Sequence, residues 1–300
     1  MRKYLSFFRI RFLSGLQYRA AAWAGVATQF AWGGMNILMY RAFYRAGAEN
    51  FPMEFDSLST YIWLQQALLA LFMAWYFDND IFDSITSGAI SYELCRPCDL
   101  YTMWFVKNMA VRLSRVVLRC FPILAVAVLL PKPYGMTLPG SVTAGLLFPL
   151  SLILGFLVLV AFSMLIYISA FYTISPIGIR ILATSVVEFF AGAVIPIPFF
   201  PTWLQPVMNA LPFASMQNTP FLIYTGHVGG QEAMWAIFLQ AVWLVVLVGI
   251  GKIWIRRATR RVEILPHDVR VHGNAVPRAA YRPATQELDV HHSGAYPVSR

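Results

Sequence analysis

The feature that most constrains the fold of this chain is an uncharged run from Tyr134 to Ile179. A single membrane-spanning helix requires about 20 apolar residues, so this run exceeds one span. Charged residues make up 12% of the 300 residues, against about 25% in soluble domains. Most of the surface is therefore expected to face lipid, and the sequence predicts an all-α integral membrane protein.

Hydropathy predicts six transmembrane helices within residues 20–261. The third reaches spanning length only if it begins near Ala110 and includes three arginines. The fifth contains Glu188, and the second is slightly short. The predicted spans are Ala20–Tyr40, Tyr61–Phe77, 110–130, Ala144–Ile168, Ile181–Pro196 and Ala233–Gly251.

Basic residues are distributed unequally between the segments that flank these spans. Cytoplasmic segments of membrane proteins are enriched in Lys and Arg. One set of segments, which includes both termini, contains most of the basic residues, whereas the opposite set contains only Arg41, Arg45 and Lys132. We therefore expect a multi-pass protein of the cell membrane with both termini in the cytoplasm. The same distribution explains the net charge of +9 without a nucleic-acid partner.

The two ends of the chain differ from the middle. Residues 1–19 are predicted to form an interfacial amphipathic helix with Leu5, Phe8, Phe12 and Leu16 on one stripe. A plain basic flank of the first span is the alternative. Residues 262–300 are polar, rich in Pro and Ala and without a periodic apolar face, which is typical of a disordered tail. Their histidines lack partners at metal-binding spacing, so no metal site is expected.

An apolar segment rich in proline precedes the sixth span. Five prolines between positions 196 and 212 exclude a continuous helix. The absence of charge favours a re-entrant or interfacial hairpin that is buried against other helices, and an exposed outer loop is the alternative. The candidate residues of the re-entrant segment are Pro198, Pro201, Trp203, Pro206 and Pro212.

The loop Asp78–Leu100 is predicted to be cytoplasmic and to contain a short amphipathic helix. Asn79 or Asp80 is the expected N-cap, and three apolar side chains share one face. A glycine ends the helix, and a proline stiffens the following chain. Such an element suits docking to a soluble partner. The candidate docking residues are Ile81, Phe82, Ile85, Gly88, Arg96 and Pro97.

The same loop contains a Cys-x-x-Cys motif at Cys95 and Cys98. A reducing cytoplasm disfavours a disulfide. No second pair of Cys or His lies at ordinary zinc spacing, and no strand–helix alternation supports a thioredoxin-type site. We interpret both residues as small thiols without metal or redox chemistry.

Taken together, this layout resembles the membrane permease of an ABC-2 type ABC exporter over residues 1–262. A basic N-terminal helix precedes six spans, a helix lies between spans two and three, and a proline-broken segment precedes span six. The stretch Gly88-Ala89-Ile90, followed by Leu94 and Arg96-Pro97, resembles the corresponding loop of a bacterial subfamily.

The resemblance implies a coupling helix in this loop, a separate ABC ATPase subunit and a second permease subunit, identical or related. The sequence agrees on one point, because it contains no G-x-x-x-x-G-K-[ST] phosphate-binding motif. We therefore expect a transport subunit that is not an enzyme and binds no cofactor, with ATP and Mg²⁺ on the partner ATPase.

Four charged residues lie within the predicted spans. Arg112, Arg115 and Arg119 are spaced to share one helical face. They form either a basic strip at the cytoplasmic mouth of a transport pathway or an anchor whose side chains snorkel to the membrane interface. Anchoring is favoured for Arg112 and Arg115. Glu188 is a candidate functional carboxylate. It either pairs with an arginine of span three or stays protonated in an apolar site.

The sequence leaves the transported substrate open. Aromatic residues in the spans permit a hydrophobic or amphipathic substrate, yet core packing explains them equally well. An ion-coupled secondary transporter that uses Glu188 is the alternative function. An intramembrane enzyme is disfavoured, since the spans contain no His and no nucleophile beside a base.

Overall fold

A computed structural model describes residues 2–47, 51–173 and 175–268, with side chains up to residue 260, and these residues form no strand. The chain divides into one compact unit over 1–262 and a second over 263–300. The helices are α1 Arg2–Gly15, α2 Arg19–Arg45, α3 Phe55–Ala67, α4 Leu69–Phe72, α5 Asn79–Thr86, α6 Ile90–Leu94, α7 Leu100–Leu129, α8 Val142–Ser169, α9 Ile177–Phe190, α10 Gln205–Ala210, α11 Asn218–Tyr224 and α12 Gly230–Asp268. Since α12 extends to Asp268, it passes the predicted domain boundary at 261. The remainder of the predicted tail lies outside the described residues.

Two of the described helical segments are long and apolar enough to cross a membrane, Val142–Tyr172 and Gly230–Arg260. They coincide with the predicted fourth and sixth spans. Helices α2 and α7 have 27 and 30 residues, so each is about 40 Å or longer at 1.5 Å per residue. The full set of six spans stays a prediction.

The predicted second and fifth spans do not form full-length helices. Helix α3 has 13 residues and α9 has 14. Each is roughly 20 Å long, which is less than the ~30 Å hydrocarbon core of a bilayer. Helix α9 ends before Gly192, whose φ is 70°, and Pro196 and Pro198 then prevent further helix. The predicted helix lengths are wrong for these two segments.

The N-terminal helix lies alongside the first half of α7, and the two helices run in the same direction. The Asp99 backbone amide donates a hydrogen bond to the Tyr4 hydroxyl at 2.9 Å. At the other end of α1, any Cβ at Gly15 would overlap with the Ser114 side chain. The predicted helix is therefore present. Three residues of its predicted stripe, Phe8, Phe12 and Leu16, are half-buried, whereas Leu5 is 70% exposed.

A buried glutamine joins α8, α12 and the chain before α11. Gln240 is fully buried, and its Nε2 donates to the carbonyl oxygens of Ser151 at 3.1 Å and Ser215 at 2.8 Å. Next to it, Gly155 lies so close to the Met216 carbonyl that a Cβ would overlap with it. Small residues and polar side chains of this kind hold membrane helices together.

The proline-rich segment is broken into short pieces, as predicted. A 3-10 turn at Ile197–Phe199 is followed by α10 and α11. The Tyr61 hydroxyl of α3 donates to the Gly192 carbonyl and to Asn218 Oδ1, both at 3.1 Å. These bonds lie in the interior and attach the segment to the helices. The candidate residues divide, with Pro198 and Pro212 buried and Pro201, Trp203 and Pro206 exposed.

Candidate functional site

The predicted docking helix is present as α5, and its apolar face is turned into the protein. Ile81 and Phe82 are 2% and 3% exposed, and the Phe82 ring lies 5.1 Å from that of Tyr167. The N-cap is Asp78, whose carboxylate accepts from the Asp80 amide, and not Asn79 or Asp80 as predicted. Asp80 lies two residues too far along, since its own amide is the donor that is capped.

The outward face of the loop is built from the end of α5 and from α6, a helix that the sequence pattern did not predict. Gly88 adopts a φ of 75° between the two helices, which confirms it as the end of α5. Ile85 is half-buried, whereas Gly88, Arg96 and Pro97 are exposed. Tyr92 on α6 is 78% exposed. We call the exposed residues of the segment 83–97, which the sequence predicts to dock a partner, the docking surface.

The two loop cysteines are free thiols. Over the described residues, no group of three or more His, Cys, Asp or Glu is placed to hold a metal ion. The carboxylate of Glu93, on α6, accepts a hydrogen bond from Trp104 Nε1 of α7 at 3.0 Å. This bond helps to fix α6 on α7.

A chain of polar contacts leads from α5 into the protein interior. Lys107 Nζ lies 2.7 Å from Asp78 Oδ2, and the Asp78 amide donates to the Tyr167 hydroxyl at 2.8 Å. That hydroxyl also accepts from Asn108 Nδ2 at 3.4 Å. Asn108 Oδ1 in turn accepts from Arg112 Nε at 2.7 Å. The N-cap of α5 is thus connected to Arg112 by buried side chains.

Arg112 holds the non-helical chain that follows α4. It is completely buried, and its guanidinium donates to the carbonyl oxygens of Leu71 at 3.2 Å, Met73 at 2.8 Å and Tyr76 at 3.0 Å. Non-helical backbone at membrane depth requires such partners. The favoured expectation that Arg112 snorkels to the interface is wrong, because these carbonyl groups bind it inside the protein.

The other two arginines of α7 have separate surroundings. Arg115 lies over the Tyr76 ring, 3.8 Å from its centroid. The Arg119 guanidinium lies against α2, where a Cβ added to Gly25 would be 2.6 Å from its Cζ. The three arginines therefore share one helical face, but Arg112 is bonded inside the protein, whereas Arg115 and Arg119 line a second cavity together.

A cavity of about 450 Å³ lies beside the segment that Arg112 holds. Its walls come from α2, the end of α3, residues 69–75, α9 and the chain around 216. The lining is mostly apolar and aromatic with a few polar side chains, which is typical of a small-molecule site. The lining residues used below are Trp32, Gln65, Gln66, Phe72, Met73, Trp75, Glu188, Val194 and Gln217.

Glu188 faces this cavity as part of its wall. Among the described residues, the ion pairs are those of Lys107 with Asp78 and Asp80. The predicted pairing of Glu188 with an arginine of α7 is therefore not formed there. Gln65 Nε2 donates to the Ala193 carbonyl, whereas Gln66 Oε1 is buried without a partner in the described part of the chain.

Sequence reasoning missed several residues of this site. Asn108 and Tyr167 carry no predicted role, and Asp78 marks only the start of the predicted loop. Lys107 is one of the basic residues behind the predicted orientation. The sequence did contain one signal of this network. Lys107 and Arg112 lie on either side of Asn108 near the start of a predicted span, where charged side chains require buried partners.

The described helices enclose an aromatic cavity with polar groups at membrane depth, and they expose apolar side chains widely, including Trp32, Leu146, Ile181 and Val245. These features define a helical membrane transport protein. Residues 30–264 match the family model of the ABC-2 family transporter proteins, and the chain belongs to this family. It is thus a membrane permease component of an ABC transporter, a class that is generally non-catalytic and associates with an ABC ATPase. No curated protein matches the chain.

Proposed function

We propose that this chain is the permease subunit of an ABC exporter that moves a hydrophobic or amphipathic substrate. ATP and Mg²⁺ bind to a separate ATPase subunit, and this chain holds no cofactor of its own. One observation supports the proposal most strongly. A surface loop suited to docking is connected by buried polar contacts to the wall of an aromatic cavity.

The ATPase docks from the cytoplasm onto the docking surface, with both termini of the permease on the same side. Since Ile81 and Phe82 are buried within the chain, they anchor α5, and the exposed Gly88, Tyr92 and Arg96 meet the partner. Movement of α5 displaces Asp78, and the contacts through Tyr167, Asn108 and Arg112 pass this displacement to residues 71–76.

The cavity wall that responds to this movement indicates the class of substrate. Trp32, Phe72 and Trp75 offer flat apolar surfaces, and Glu188 supplies a carboxylate without an ion pair in the described residues. Aromatic faces and a carboxylate together attract organic cations. We infer that the substrate is an amphipathic molecule and that Glu188 favours substrates with positive charge.

A second permease subunit completes the transport path. Trp32 and Val194 at the cavity are 59% and 67% exposed, so the cavity is flanked by apolar surface that a second copy or a related subunit covers. Disulfide crosslinking tests this arrangement. In a cysteine-free background, Val194→Cys should form a dimer in membranes, while Leu146→Cys, on the exposed face of α8, should not.

The decisive experiment measures binding and transport in one preparation. The tagged chain, extracted in a mild detergent, should recover an ABC ATPase and should itself hydrolyse no ATP. Arg96→Glu should weaken the complex at least tenfold. Lys132→Glu is the matched control, because it reverses an exposed basic residue in the set of segments predicted to lie on the opposite side.

Proteoliposomes separate this function from ion-coupled transport. Uptake of an amphipathic cation into inside-out vesicles should depend on ATP and the ATPase, and a proton gradient alone should not drive it. Glu188→Gln should lower cation transport about tenfold and leave a neutral analogue within twofold. Gradient-driven transport by the lone chain would refute the permease proposal.

A further inference from the structure

A second cavity, of about 410 Å³, lies where α1 ends and α2 begins, beside the middle of α7. It shares no lining residue with the cavity that contains Glu188. Its walls carry a concentration of cationic and hydrogen-bonding groups. The relevant lining residues are Arg11, Ser14, Tyr18, Ala21, Arg115 and Arg119.

The three arginines have no internal counter-ion. Residues 1–47 and 100–129 contain no Asp or Glu, so neither α1, α2 nor α7 supplies a carboxylate. Within the described residues, none of the three forms an ion pair. Arg11 lies over the Phe7 ring and Arg115 over the Tyr76 ring, which orients these groups without neutralising them. In the described part of the chain, Arg119 Nε is buried without a hydrogen-bond partner.

Uncharged hydrogen-bond donors add to the positive electrostatic potential of the three arginines. The 27-residue helix α2 begins at the cavity with no side-chain cap and no acidic residue in its first turn. The Arg19 amide already donates to the Gln17 carbonyl oxygen, so the next amides, those of Ala20 and Ala21, and the helix dipole favour an anion. The Ser14 side chain lines the same space. Arginine guanidinium groups recognise phosphate oxygens with paired hydrogen bonds.

We propose that this cavity binds a phosphate-bearing anion, the chemistry shared by an anionic phospholipid headgroup and free phosphate. This site is separate from the proposed transport cavity. An anion bound there would link the α1–α2 junction to α7. Apolar side chains lie in the same two helices, with Ile10, Leu13 and Trp23 exposed to 65%, 48% and 66%. They offer acyl chains a surface close to the headgroup.

The test uses the full chain in a neutral detergent. Thermal unfolding is followed after addition of phosphatidylglycerol, phosphatidylcholine or inorganic phosphate, and native mass spectrometry counts the bound lipids. Phosphatidylglycerol should raise the unfolding midpoint by several degrees and remain bound, whereas phosphatidylcholine should do neither. A shift with inorganic phosphate identifies the free anion as sufficient, and a shift with the lipid alone identifies the headgroup with its acyl chains as the ligand.

Variants then locate the site. Arg11→Gln and Arg119→Gln should each weaken phosphatidylglycerol binding at least tenfold, and Arg119→Lys should retain part of it. Arg45→Gln removes the same charge from an exposed position at the far end of α2 and should bind as the parent does. Equal retention of both lipids by the parent chain would overturn the proposal, even if a variant failed to fold. Unchanged binding in Arg11→Gln and Arg119→Gln would do the same.

Discussion

Replacing Arg112 by methionine should destabilise the fold more than any other single loss of charge on α7. The guanidinium makes four hydrogen bonds, to Asn108 and to the carbonyl groups of Leu71, Met73 and Tyr76. Methionine fills a similar volume but leaves three buried carbonyl oxygens unpaired. Each buried carbonyl oxygen left unpaired costs about 1–3 kcal/mol. Because methionine also removes the desolvation cost of the buried guanidinium, we expect a net loss of about 3–5 kcal/mol.

The measurement is thermal unfolding of the purified chain in detergent, followed by tryptophan fluorescence, since the chain contains nine Trp. At about 2–4 °C per kcal/mol for a chain of this size, Arg112→Met should lower the midpoint by roughly 6–20 °C. Arg115→Met is the matched control. It removes the same charge one turn later, where the side chain lies over the face of Tyr76, a contact worth about 0.5–1 kcal/mol at a partly exposed site.

The comparison between the two variants decides whether the reasoning is sound. A midpoint for Arg112→Met within 2 °C of the parent would mean that residues 71–76 do not depend on the guanidinium. An equal loss in both variants would mean that charge, and not the bonds to the carbonyl groups, sets the stability. Either result would refute the role assigned to Arg112.

Three further predictions concern the interior contacts. Gln240→Leu should lower the unfolding midpoint through a loss of about 1–3 kcal/mol, and Gln231→Leu, at the exposed start of α12, should not. Tyr61→Phe should cost about 1–2 kcal/mol by removing the hydroxyl between α3 and the proline-rich segment, whereas Tyr92→Phe, on the exposed α6, should leave unfolding unchanged. Tyr167→Phe should keep the ATPase bound but reduce transport per ATP at least threefold, because its hydroxyl joins α5 to Asn108; transport equal to the parent would contradict that route.

Local sequence features predicted the elements whose causes are local. Uncharged runs predicted α8 and α12, and the interruption of the chain between 196 and 212 follows from prolines that cannot continue a helix. Gly88 ends α5 because only glycine adopts its positive φ without strain. In each case the relevant physics acts within a few residues, so one sequence is sufficient.

Contacts between distant segments were beyond the reach of the sequence pattern. The break after α4 depends on an arginine some forty residues later that satisfies its carbonyl groups. The three arginines of α7 have the same spacing signature, yet their roles differ because α4, Tyr76 and α2 lie beside them. Glu188 was singled out as a candidate by its isolation in the sequence, whereas the cavity beside it became visible only once α2, α3 and α9 were brought together.

The contact between Tyr4 and Asp99 has a consequence for how the protein is made. Ribosomes release the chain from its N-terminus at about 5–20 residues per second, so α1 must wait on the order of 5–20 s before its site on α7 exists. During that interval its aromatic and basic side chains have no protein surface to cover them. With the N-terminus in the cytoplasm, as proposed above, the nascent helix is expected to rest on the anionic inner leaflet. The arrival of α7 would then draw it from the lipid surface into its final place.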